Sequence, residues 1–285
     1  MPSSLAGRRP TVSPDSPVNA AELIGGAIGN ALAANRDKPL VVGICGSQGS
    51  GKSTLCETLT TRFRQAGLTV ANMSLDDLYL PLITRMKLAA TVHPMLRTRG
   101  VPGTHDIPLG METLDALSQA QQVRMPRFDK ATDDRRVTQL RDTVQGPAQL
   151  VLFEGWCVGA RPQSGADLIQ PVNELEAKED ADGRWRRYVN SKLSADYQAL
   201  FARIDLLAML AAPSFDVVLK WRIQQEHALR EQVQRTGEDS SAVMSDAAVA
   251  RFIQHFERLT RHMLDEMPSR ADLVIRLAPD RSVLG

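Results

Sequence analysis

Leu40-Val41-Val42-Gly43-Ile44-Cys45-Gly46-Ser47-Gln48-Gly49-Ser50-Gly51-Lys52-Ser53-Thr54 is the stretch that decides the fold. Its first six residues read as a buried strand. Glycines then follow at the spacing Gly-x-x-x-x-Gly-Lys-Ser, and Leu55, Leu59 and Phe63 recur behind them at helical spacing. Strand, glycine-rich loop and helix in that order cradle a nucleotide polyphosphate, with backbone N–H groups turned toward the phosphates. Gly46, Gly49 and Gly51 admit the left-handed or crowded backbone that such a loop needs. The candidate nucleotide-binding set is therefore Gly46, Ser47, Gln48, Gly49, Ser50, Gly51, Lys52, Ser53 and Thr54. Lys52 supplies a point charge to the β- and γ-phosphates, and the Ser53 hydroxyl is a candidate ligand of Mg²⁺. A glycine-rich turn matching by chance is the alternative, and the flanking strand and helix weigh against it.

Working outward, two more apolar runs end in acids. Leu68-Thr69-Val70-Ala71-Asn72-Met73-Ser74 reads as a second strand and runs into Leu75-Asp76-Asp77-Leu78-Tyr79. Leu150-Val151-Leu152-Phe153 reads as another and runs into Glu154-Gly155. In open parallel sheets ligands sit beyond the carboxyl ends of the strands, so these acids are predicted to face the phosphates. Asp76 is the candidate proton acceptor, with Asp77 its rival and Asp106 behind it. Glu154 joins Ser53 as a candidate metal residue, although an acid after a strand also serves simply to cap the next helix. Leu206-Leu207-Ala208-Met209-Leu210 and Asp272 to Leu277 read as the remaining strands. Strands alternate with helices throughout, which predicts an α/β fold: a parallel sheet between two helical layers.

Between these elements the chain is less regular. Met1 to Val18, rich in Ser and Pro, reads as a flexible arm, and residues 19–285 read as one domain. Asn19 and Glu22 form a candidate capping box for a helix carrying Leu23, Ile24, Ile28 and Leu32. Pro81 to Asp106, with Arg97, Arg99, His105 and Asp106 among prolines and glycines, is expected to be a functional loop. Met111 to Gln121 reads as a helix, and Pro126 to Lys130 is locally cationic. Insertions near 81–135 and 156–203 are assigned to acceptor binding. Arg222, Glu226 and Arg230 fall on one stripe of a helix, either a solvated salt-bridge face or part of a lid near 214–245.

Composition narrows the partners. Lys and Arg total 34 against 33 acidic residues, a net charge of +1 that gives no reason to expect nucleic-acid or anionic-membrane binding. The three cysteines, Cys45, Cys56 and Cys157, have no metal-ligand or disulfide spacing, which fits a cytoplasmic location. The apolar runs are too short to span a bilayer. A small-molecule partner is expected, and oligomeric state is left open.

The loop predicts ATP binding but leaves the reaction open, since hydrolysis, switching and phosphoryl transfer share it. An Asn-Lys-x-Asp guanine reader and a Leu-Ser-Gly-Gly-Gln transporter motif are both absent. At the residues quoted above the chain resembles the P-loop small-molecule kinases, which include uridine kinase, phosphoribulokinase and pantothenate kinase. It is most similar to the D-glycerate 3-kinases. The likeness extends over Arg99-Gly100-Val101-Pro102-Gly103-Thr104-His105-Asp106, Pro126-Arg127-Phe128-Asp129-Lys130, Phe153-Glu154-Gly155-Trp156, Asn173-Glu174-Leu175-Glu176 and Trp221-Arg222-x-x-Gln225-Glu226. Leu78 stands where that family usually has Phe, and Ala131-Thr132-Asp133-Asp134 departs from its pattern.

The resemblance implies a sheet order of 2-3-1-4-5, a helical lid, ATP and Mg²⁺ as cofactors, and conversion of D-glycerate to 3-phosphoglycerate. It assigns Lys52 and Asp76 to catalysis and Arg222 and Arg230 to closing over the nucleotide. The substrate set is Asp77, Arg99, His105, Asp106, Arg127, Lys130 and Arg135. Arg127 is expected to fork a substrate carboxylate, because paired guanidinium N–H groups match two carboxylate oxygens. The alternatives are the same chemistry on a nucleoside, a pantothenate-like acid or a sugar, or a regulatory module that binds ATP without transferring phosphate.

Overall fold

The computed structural model describes residues 19–34, 38–119, 122–137, 142–236 and 243–284. The expected N-terminal arm lies outside them, as does part of the expected lid. Helix α1 (Ala20–Leu32) begins at Asn19, whose side chain accepts from the Ala21 amide at 2.9 Å, and buries Ile24 and Ile28. It packs on α2 (Lys52–Gln65), which follows strand β1 (Leu40–Gly46). Strands β2 (Val70–Ser74) and β7 (Leu150–Gly155) flank each other, and β8 (Leu206–Ala211) and β9 (Leu273–Arg276) complete a five-stranded parallel sheet. Its order is β2-β7-β1-β8-β9, which is 2-3-1-4-5 when the sheet strands alone are counted along the chain. Every residue of β1 and β7 is buried, the reason both read as unbroken apolar runs. Register aligns Ser74 with Glu154 and Cys45 with Gly155, so the ends of β1, β2 and β7 reach one edge together.

The segment expected to be irregular holds a helix, α3 (Leu82–Thr91), and a 3-10 turn at Pro94–Arg97. It escaped the sequence reading because α3 buries a cation, where the pattern sought an apolar stripe. Arg85 is 1% exposed; its guanidinium donates to the carbonyls of Leu80, Arg97 and Asp133 and pairs with the Asp133 carboxylate at 2.7 Å. Helix α4 (Ile107–Gln119) starts four residues earlier than Met111, because the Asp106 carboxylate accepts from the Leu109 amide at 3.1 Å and sets the first turn there. Then come two short antiparallel ladders, β3 (Gln122–Arg124) with β6 (Thr143–Gln145) and β4 (Phe128–Asp129) with β5 (Asp134–Arg135).

Helices α5 (Glu174–Glu179), α6 (Arg184–Ser194) and α7 (Asp196–Phe201) precede β8, and α8 (Phe215–Thr236) and α9 (Asp246–Glu266) follow it. Two buried ion pairs organise this half. Arg186 meets Asp180 at 2.9 Å, and Arg258 of α9 meets Glu176 of α5 at 2.6 Å. Cys45, Cys56 and Cys157 are buried free thiols. No helix among the described residues is long and apolar enough to cross a membrane.

Candidate active site

The loop between β1 and α2 is shaped by its glycines and by α8. Gly49 has φ +79°, and a Cβ there would stand 2.6 Å from the Trp221 Cβ, so no other residue fits between loop and helix. Arg281, beyond β9, donates to the Gly49 carbonyl at 2.6 Å and lies 5.2 Å from the Trp221 ring centre. Trp221 in turn donates to the Pro279 carbonyl at 2.7 Å. Loop, α8 and C-terminal turn thus hold one another.

Lys52 opens α2 with its Nζ 4.0 Å from Glu154 Oε2, and Ser53 Oγ lies 3.4 Å from Glu154 Oε1. Glu154 is buried, and its Oε2 has no hydrogen-bond partner. Burial pushes this carboxyl up, Lys52 pulls it down, and the charge of Asp76 adds to the rise. A buried acceptor oxygen without a donor, beside a hydroxyl, suits a hard divalent cation that keeps most of its own waters. Among the described residues no cluster of three or more His, Cys, Asp or Glu forms a protein-only metal cage. Ser53 and Glu154 therefore fit Mg²⁺ at a site shared with substrate phosphates.

Asp76 and Asp77 sit in a 3-10 turn, Leu75–Leu78, whose first amide bond is supplied by Ser74 Oγ to Asp76 N at 3.3 Å. The two carboxylates do different things. Tyr79 donates its hydroxyl to Asp76 Oδ1 at 2.7 Å, and Lys130 Nζ donates to Oδ2 at 2.7 Å. Burial would raise the Asp76 carboxyl, but the Lys130 and Lys52 charges and these hydrogen bonds outweigh it and hold the group well below the usual carboxylate range. Asp77 accepts from the Phe128 amide and from Arg127, each at 3.0 Å, so both its oxygens are spent on fixing the β4–β5 hairpin. Burial raises it against the pull of Arg127.

A cavity of about 490 Å³ joins the phosphate loop to this turn. Of the residues predicted from sequence, Gln48, Gly49, Lys52, Ser53, Asp76, Asp77, Arg99, Lys130, Glu154 and Arg222 line it together. Arg222 is tied to the buried Glu226 at 2.7 Å, and Arg99 pairs with Asp133. The Ser47 and Ser50 hydroxyls are buried in the loop with no hydrogen-bond partner, Gly46 ends β1, Gly51 is the left-handed cap of α2, and Thr54 faces outward on α2.

Five predicted residues stand elsewhere. Arg127, expected to fork a substrate carboxylate, bonds Asp77 through Nη1 and Asp142 through Nε, each at 3.0 Å, and borders a neighbouring cleft. Arg135 and Asp106 pair with each other at 2.7 Å. Arg230 donates to the Met244 carbonyl at 2.9 Å and lies 3.6 Å from Asp246 at the start of α9, outside the cavity lining. His105 is buried beneath Tyr79, its Nδ1 2.6 Å from the Tyr197 hydroxyl. Trp156, Tyr79, Leu229, Phe252 and Phe256 line the cavity without having been singled out. Trp156, two residues past Glu154, was the detectable one; its indole donates to the Gly100 carbonyl at 2.8 Å.

A phosphate loop leaving the central strand, an acid ending each of the next two strands outward, and the 2-3-1-4-5 order define a P-loop kinase. Residues 41–161 match the phosphoribulokinase/uridine kinase family. The chain is 34% identical over 234 residues to the kinase mug58 of Schizosaccharomyces pombe, covering 77% of this chain and 79% of that one. It is 32% identical over 229 residues to the chloroplastic D-glycerate 3-kinase of Arabidopsis thaliana, covering 76% of this chain and 46% of that protein. The solved structure of the D-glycerate 3-kinase of Cryptococcus neoformans superposes with a TM-score of 0.72 at 28% identity, covering 94% and 99% of the two chains. The protein belongs to the phosphoribulokinase/uridine kinase family.

Proposed function

We propose that this protein transfers the γ-phosphoryl group of ATP to the 3-hydroxyl of D-glycerate. The observation that carries the reading is the facing of Asp76 and Lys130 across one cavity with the phosphate loop, which offers a hydroxyl acceptor and a cation for a small acid side by side. The glycerate kinases among its relatives support the choice of acid.

Lys52 and the loop amides hold the phosphates, and Ser53 and Glu154 would hold Mg²⁺, which when bound neutralises charge on the β- and γ-phosphates. The glycerate oxygen bonds to the γ-phosphorus as the bond from phosphorus to the bridging oxygen breaks, and ADP leaves with that electron pair. Asp76 Oδ2 receives the hydroxyl proton. Because the transition state is loose, the proton leaves late, and a carboxylate held this low serves as much by orienting the hydroxyl as by basicity. Arg222 and the cavity face of α8 form the proposed lid, which excludes water as a competing acceptor.

An ADP-release assay over D-glycerate, uridine, pantothenate and simple sugars tests the assignment. Release dependent on D-glycerate is expected. Release with uridine alone would move the substrate to nucleosides, and release with no acceptor on the panel would leave an ATP-binding module.

A further inference from the structure

The two oxygens of Asp76 are held very differently. Oδ1 is bonded by Tyr79, which is 5% exposed, stacked on His105 at 4.7 Å between ring centres and packed edge-on to Phe128. That partner is locked. Oδ2 is covered by the ammonium of Lys130, whose side chain is 59% exposed and extends from the β4–β5 turn. Asp77 anchors the hairpin base through Phe128 and Arg127, so the lysine stem can swing while the hairpin stays. Among the described residues Asp76 is the ion-pair partner the structure gives Lys130, whereas Arg99 is tied to Asp133 and Arg222 to Glu226.

We infer that Lys130 is a specificity gate: its ammonium covers Oδ2 of Asp76 until a negatively charged acceptor draws it away. This rests on Asp76 being the proton acceptor in the proposed reaction. An ammonium donating to Oδ2 takes one of its two lone pairs, crowds the approach of a hydroxyl to the other and lowers the oxygen's basicity, so a hydroxyl is best activated there once the ammonium has moved off. A carboxylate on the acceptor offers Lys130 a competing partner of equal charge. Water and neutral alcohols offer none. Recognition of the anion is thereby converted into availability of the base, the logic of induced fit applied to one side chain. The gate suppresses two losses together: ATP hydrolysis when no acceptor is present, and phosphorylation of neutral polyols of similar size.

The test uses the full chain with MgATP alone, with D-glycerate, and with glycerol, the neutral analogue lacking the carboxylate. In Lys130→Met, ADP release without acceptor should rise about tenfold, a fraction of what a freed general base contributes, and the kcat preference for glycerate over glycerol should shrink by a similar factor. Lys130→Arg, which keeps the charge, should retain the low background, and adding Asp76→Asn to Lys130→Met should abolish the rise. A Lys130→Met enzyme with a higher KM for glycerate but unchanged background would make Lys130 a plain anion binder and overturn the gate. A background that survives the added Asp76→Asn would overturn it as well. If wild type ignores glycerate, the substrate assignment fails, while the acceptor-free comparison still decides the gate.

Discussion

Asp76 and Asp77 are adjacent in sequence, yet their surroundings push them in opposite directions, and each should respond differently to loss of charge. Asp76→Asn should lower kcat about a hundredfold or more with KM for ATP nearly unchanged, as initial-rate kinetics would report, because a general base is typically worth that much. Asp77→Asn should leave kcat within a few-fold and lower the melting temperature, since its oxygens hold Phe128 and Arg127. His105 carries a second prediction. Burial between Tyr79 and Tyr197 is the larger influence and lowers it, against a weaker raising effect of Asp76, from 6.5 to about 4. The folded protein therefore refuses a proton that the unfolded chain accepts, so this stability is fully present above pH 6.5 and is lost as pH falls toward 4. The loss amounts to about 3 kcal/mol. Denaturant titrations across that window should show the slope in wild type and a much flatter one in His105→Asn. Burial also shifts Asp77 and Glu154 upward toward this window and lowers His255 from its upper end, so the readout is the difference between wild type and His105→Asn, in which those groups cancel.

Helices and strands with an apolar buried stripe were legible in the sequence; the cations buried in or between them were not. β1, β7 and β8 announce themselves as continuous apolar runs, and α9 as a face of Val249, Ile253, Phe256 and Met263 capped by Ser245. α3 did not, because its one buried side chain is Arg85. The β4–β5 hairpin is two residues a side and held by Asp77 from a distant turn, which no local pattern encodes. The same blindness hid Arg258, which reads as a surface residue of α9 yet joins it to α5 through Glu176 and to the carbonyls of Asp167 and Gln170. Arg258→Met should cost roughly 3–5 kcal/mol by leaving Glu176 buried and unpaired, while Arg258→Met with Glu176→Leu should recover most of it. Equilibrium unfolding of both variants distinguishes a buried pair from a superficial one.

Over the whole molecule, chemistry gathers at one edge of the sheet because parallel strands in register deliver their ends to the same level. The phosphate loop, Asp76 and Glu154 were legible for that reason. Arg281 was not: it lies 232 residues from the Gly49 it holds, and only the return of the chain past β9 brings them together. The buried thiols give this edge a further property. Cys45 is the penultimate residue of β1, Cys56 lies in the first turns of α2, and Cys157 comes three residues after Glu154. Burial pushes Cys45 up to about 12 and raises Cys56 and Cys157 as well, so none presents a thiolate while the protein is closed. A thiol-specific chromogenic reagent should therefore react only through transient opening, and its rate becomes a clock for the breathing of the nucleotide edge. MgATP at a hundred times its Kd should slow labelling of Cys45 and Cys56 by up to about a hundredfold if opening releases the nucleotide. Unchanged rates, read by mass spectrometry of each cysteine peptide, would mean that the edge opens with nucleotide still in place.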